Sequence, residues 1–156
     1  MPAQLTYNIA EETLTGNIAG TVVNCLAGSG GRAGSKVPGA VNWYLQNNAL
    51  ATGVHKEGTH IFGPLPQGSY YMRPHESDKN MVRLDPFSSN YMYGRSGFLI
   101  HGRGKIGSHG CIVPYDFSNV LKIRAAVEAY LKLNKSKPVL NVIAVGCDLD
   151  MKSSTG

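Results

Sequence analysis

Short apolar runs separated by turn chemistry fill the first hundred positions. Leu5, Tyr7 and Ile9 alternate with polar neighbours, as a half-buried strand does. Thr15-Gly16-Asn17 reads as a turn and the β-branched run at 21–26 as a strand, which together predict a hairpin over about 4–26. The stretch 27–35 (Ala-Gly-Ser-Gly-Gly-Arg-Ala-Gly-Ser) is too rich in glycine for a regular element and reads as a binding loop or a linker, too short to separate domains. Gly63-Pro64-Leu65-Pro66-Gln67-Gly68 predicts a rigid turn, because proline fixes φ and glycine supplies the angles other residues avoid. Strands follow at 69–73, 81–85 and 97–101, the last ending on His101.

The period then changes. Phe117, Val120, Leu121, Ile123, Ala126, Val127, Tyr130 and Leu131 recur at helical spacing. Asp116 and Ser118 are both candidate N-caps, Lys132 and Lys135 suit the C-terminal end of the dipole, and Pro138 forbids continuation. Residues 139–145 read as a buried strand and the tail from Asp148 as polar. The pattern predicts one mainly β domain over 1–156, a sandwich or barrel with one main helix near 116–133.

Composition adds limits. The 156 residues fit one domain with its own core. Glycine is frequent at 19 residues, which suits a turn-rich β protein better than a helical bundle. The net charge of +5 comes from scattered Lys and Arg with no basic block, so a nucleic-acid footprint is weak. It suits anionic targets such as cell-wall polymers or acidic proteins, and equally suits nothing beyond solubility. Three cysteines (Cys25, Cys111 and Cys147) cannot all pair within one chain, which favours a thiol over a disulfide scaffold. The N-terminus lacks the charged start and apolar run of a signal peptide, and no apolar run is long enough to span a membrane. The expectation is a chain made in the cytoplasm and carried out of it, if at all, by other means.

The chemistry concentrates in residues 98–114, Phe-Leu-Ile-His-Gly-Arg-Gly-Lys-Ile-Gly-Ser-His-Gly-Cys-Ile-Val-Pro. A strand delivers His101 to its end, and a glycine-rich loop returns the chain to Cys111. An imidazole beside a thiol can take its proton and leave a thiolate–imidazolium pair, a nucleophile at neutral pH. Glycines around Cys111 let the backbone aim the N–H groups of Gly110 and Cys111 at an oxyanion. Two other readings use the same residues. Cys111 and the histidines can be structural. His101, His109 and Cys111 can also hold zinc, with Cys147, His55 or His60 as a further ligand, although no CxxC or HExxH spacing accompanies them. The dense Ser-His-Gly-Cys block favours the nucleophile.

His101-Gly102 followed by Ser108-His109-Gly110-Cys111-Ile112 resembles the signature of the L,D-transpeptidases of the YkuD type. In NlpC-type peptidases the cysteine precedes the histidine, so chain order argues against them. The 63–71 segment, the early hairpin and the glycine-rich loop look like the compact L,D-transpeptidase-like effectors of type VI secretion. Two departures stand out. The ten-residue step from His101 to Cys111 is shorter than in housekeeping members, and Val113-Pro114 replaces the usual Arg or Asn after Cys-Ile.

The resemblance implies a YkuD-like fold and an L,D-carboxypeptidase or L,D-transpeptidase acting on peptidoglycan stem tetrapeptides. Cys111 attacks the carbonyl of the third stem residue and releases the terminal D-alanine. His101 is the base, oriented by the Gly102 carbonyl, while Ser108, His109 and Gly110 line the site. The acyl-enzyme then passes to water or to an amine, including another D-amino acid. Arg32 and His60 are candidate substrate contacts, Arg32 for a stem-peptide carboxylate. No metal or organic cofactor is called for. The effector resemblance further implies an antibacterial toxin active in the periplasm of a rival cell, an immunity protein that plugs the cleft, and a secretion-machinery carrier. A housekeeping or phage-borne wall enzyme, or a non-catalytic wall-binding domain, are the alternatives.

Overall fold

The structure, a computed structural model, describes residues 3–29, 55–56, 61–62, 64–102 and 111–145. Eight strands close into a barrel: β1 (Leu5–Asn8), β2 (Thr13–Ile18), β3 (Thr21–Ser29), β6 (Gly68–Pro74), β7 (Val82–Pro86), β8 (Phe98–Ile100), β9 (Ile112–Pro114) and β10 (Val139–Ile143). Their order around the barrel is β1-β10-β6-β7-β8-β9-β3-β2. A separate ribbon pairs β4 (His55–Lys56) with β5 (Ile61–Phe62). Neighbours run antiparallel except at two seams, β1 with β10 and β8 with β9, which are parallel. Closure removes the unpaired edges that an open sheet of such short strands would expose.

Alternate positions of nearly every barrel strand turn inward, as a period of two requires. Leu5, Tyr7, Leu14, Ile18, Tyr70, Met72, Val82, Ile100, Ile112 and Leu140 are fully buried in one continuous core. Each large apolar side chain there contributes about 1.5–3 kcal/mol of burial. The mainly β class and the one helix among the described residues match the reading from the residue pattern. The helix, α1 (Phe117–Leu133), packs Val120, Ile123, Ala126 and Val127 against the sheet. Asp116 is its N-cap, accepting the Ser118 N–H at 2.9 Å, and Asn134 in extended backbone closes it before Pro138. Among the described residues no helix is long and apolar enough to cross a membrane.

The amino-terminal hairpin is a correction. Residues 5–29 form three strands, and Thr15-Gly16-Asn17 lies inside β2 instead of turning. Gly16 is needed for close approach: a Cβ there would sit 2.0 Å from the Gln4 carbonyl oxygen. The actual turns are at 9–12 and at Ala19-Gly20. At the second, both residues take positive φ (49° and 87°), as a two-residue type I′ hairpin demands, and Asn17 Oδ1 accepts the Gly20 N–H.

Candidate active site

The site is built on the parallel seam between β8 and β9. Ile100 pairs with Ile112, and the His101 N–H donates to the Ile112 carbonyl at 3.1 Å. This register staggers His101 just beyond the end of β8 against Cys111 just before β9.

Both side chains are mostly covered. Cys111 keeps 8% and His101 7% of its surface, whereas the adjoining Ile112 keeps none. Cys111 is not packed as a plain hydrophobe, because the Leu99 N–H donates to its Sγ at 3.3 Å. Neither Cys111 nor Cys25 is in a disulfide. Cys25, on β3, differs in its setting: burial pushes its thiol up, with Lys122 opposing and Asp116 adding to the rise.

Gly102 has a packing role that the sequence did not disclose. A Cβ there would lie 2.1 Å from Cδ1 of Phe117, so the first residue of α1 rests directly on the backbone next to His101.

A group of polar side chains that sequence reasoning missed fastens the 64–66 segment. Ser29, at the end of β3, pairs with Ile112, and its hydroxyl accepts the Leu65 N–H at 2.8 Å. The Tyr70 hydroxyl, raised by burial, donates to the Pro66 carbonyl at 2.6 Å. Arg95, only 5% exposed, donates from Nη1 to the Pro64 carbonyl at 2.7 Å and lies 5.2 Å from the centre of the Phe98 ring. Burial pushes its guanidinium down, while Tyr70 and Cys111 both act to hold it charged. The Pro64-Leu65-Pro66 segment is therefore fastened at three successive residues to side chains from β3, from β6 and from the segment before β8. The only sequence trace of Arg95 is a cation in a turn just before an apolar strand, a position that ordinarily faces water.

Of the residues singled out from the sequence, Cys111, His101 and Gly102 are described, the His101 N–H bonding to the carbonyl of the residue after Cys111. Ser108, His109, Gly110, Arg32 and His60 lie outside the described residues, as does Cys147. Among the described residues no group of three or more His, Cys, Asp or Glu is placed to hold a metal. A cavity of about 380 Å³ lined by Tyr71, Phe87, Tyr130, Lys137 and Asn141 contains none of the candidate residues. No family model, curated protein or solved structure matches the chain.

Proposed function

We propose that the chain is a cysteine acyl-transfer enzyme of the YkuD-like L,D-transpeptidase kind, acting on peptidoglycan stem tetrapeptides. The observation that carries the reading is the β8–β9 seam. Its register sets His101 and Cys111 on neighbouring strands, with the thiol already accepting a backbone N–H. Thiol, imidazole and a glycine-rich return loop are what acyl transfer through a thioester requires.

In this mechanism His101 takes the Cys111 proton, and the thiolate attacks the carbonyl carbon linking the third stem residue to the terminal D-alanine. The tetrahedral intermediate collapses as the C–N bond breaks. The imidazolium gives its proton to the leaving amine, and a thioester remains. Water then yields the tripeptide, and an amine yields a transpeptide or an exchanged D-amino acid. The effector resemblance extends the proposal to an antibacterial toxin delivered to the periplasm of a target cell, opposed by an immunity protein that covers the site.

The test is incubation of purified tetrapeptide muropeptides with wild type, Cys111→Ala and His101→Ala, read by product mass. Wild type is expected to release D-alanine, or to swap it when another D-amino acid is supplied. Cys111→Ala should abolish turnover, and His101→Ala should cut it by about 10²-fold or more, both with unchanged thermal midpoints. Equal product from wild type and Cys111→Ala sinks the assignment.

A further inference from the structure

The cavity over β6 and β10 shares no residue with the thiol–imidazole pair. Tyr70 and Met72 of β6 and Leu140 and Val142 of β10 are buried in the core, so Ser69, Tyr71 and Asn141 face the other side of the sheet. The register sets Ser69 opposite Asn141, and the Ser69 hydroxyl donates to Asn141 Oδ1 at 2.7 Å. Phe87 follows β7 and is held alongside, because its N–H donates to the Ser69 carbonyl at 3.0 Å. Its ring stacks on Tyr71 with centroids 4.3 Å apart. Tyr130 of α1 and Lys137 of the segment before β10 also line the cavity, whose volume is about 380 Å³. Small-molecule sites begin at about 300 Å³, and here strands and a helix fix the walls.

The lining is chemically one-sided. Among its described residues are three aromatic rings, one cation and no carboxylate. Lys137 is exposed and has no acidic partner among the described residues. Neither the Tyr71 nor the Tyr130 hydroxyl bonds to a described residue. Asn141 engages its oxygen with Ser69, which leaves its amide N–H groups as donors. A complementary ligand has an apolar face, oxygen acceptors distributed around it and a negative charge. A saccharide ring bearing a carboxylate has all three: C–H groups for the aromatic pair, ring oxygens for the donors and an anion for Lys137. An aromatic acid would suit the rings and Lys137. It would also strip the Asn141 and tyrosine donors of water without replacing it.

We propose that this cavity binds an acidic saccharide, stacked on Tyr71 and Phe87 with its carboxylate at Lys137. The site stands apart from the acyl-transfer reading, and an inert Cys111 would leave it untouched.

The test is a two-dimensional NMR titration of the full, isotope-labelled chain with N-acetylmuramic acid, N-acetylglucosamine and benzoate. N-acetylmuramic acid should shift the Asn141 side-chain amide and the backbone amides of Ser69, Phe87 and Asn141. N-acetylglucosamine, which lacks the acid, should bind about fivefold more weakly. Lys137→Met, a change at an exposed side chain, should abolish that preference and leave N-acetylglucosamine binding unaltered. Phe87→Ala should weaken both sugars by about three- to tenfold. Peptide-free glycan strands carrying the same acidic sugar are titrated alongside. Tighter binding than the monosaccharide identifies a polymer as the source and equal binding the free sugar, and either supports the site. Shifts confined to other parts of the chain, or none at tens of millimolar acidic sugar, overturn the proposal. So does benzoate binding as tightly as the acidic sugar, a Lys137→Met variant that still prefers the acid, or a folded Phe87→Ala variant with unchanged affinities. The wild-type ligand comparisons keep the test decisive should Phe87→Ala not fold.

Discussion

Gly102→Ala isolates the contact on which the local geometry around His101 depends. The backbone of Gly102 does not lie in the left-handed region, so an alanine adopts it without strain. Such a change ordinarily stabilises a protein by about 0.4–1 kcal/mol through the unfolded chain. Here the new methyl would meet Phe117 Cδ1 at 2.1 Å and Cε1 at 2.9 Å, so the ring must move. Overpacking typically costs about 1–3 kcal/mol. Phe117 is 45% exposed and has room to swing outward, which places the net cost near the lower end of that range, about 1–2 kcal/mol. For a chain of this length that lowers the thermal midpoint by roughly 2–8 °C.

The decisive measurement is a double-mutant cycle by urea denaturation with Phe117→Ala. With the ring gone, Gly102→Ala should change sign and stabilise, giving a coupling of about 1.5–3 kcal/mol between the two positions. The same cost for Gly102→Ala in both backgrounds would refute the reasoning.

Two further outcomes test the surroundings of the site. Cys25 is the more exposed of the two described thiols and burial pushes it up, so under the proposed pairing of Cys111 with His101 limited alkylation at neutral pH should label Cys111 first; labelling in order of exposure would contradict that pairing. Asp116 is held below its ordinary carboxyl value by the hydroxyl and N–H of Ser118, so its contribution to α1 is complete above the unfolded value and is lost as pH falls through the folded one. The gap in thermal midpoint between wild type and Asp116→Ala should therefore be widest near neutral pH and close on acidification below about pH 4; a gap constant across that range would show that the charged cap is not the cause.

What the sequence disclosed follows the reach of its signals. Apolar runs bounded by turn residues, with alternation at 81–85, located β6, β7, β8 and β10 to within a residue or two, because each meets a continuous core. Helical spacing with an N-cap located α1 for the same reason. The amino-terminal turn failed at Gly16 because a glycine marks either a turn or a close approach, and only the position of Gln4 decides between them. The Ala19-Gly20 turn carried a weaker signal, since alanine is an unusual occupant of positive φ.

Within the candidate site the division is sharper. His101 and Cys111 were legible because their residue types are chemically specific and their separation along the chain is short. Ser29, Tyr70 and Arg95 come from β3, β6 and the segment before β8, and they meet at residues 64–66 only through the closed barrel order. No local pattern encodes that convergence. A buried arginine in particular is written like an exposed one, and what distinguishes it is the Pro64 carbonyl, thirty-one residues away, that accepts its hydrogen bond. The chain thus spells out its candidate nucleophile locally, while the contacts that fasten the 64–66 segment are supplied by topology.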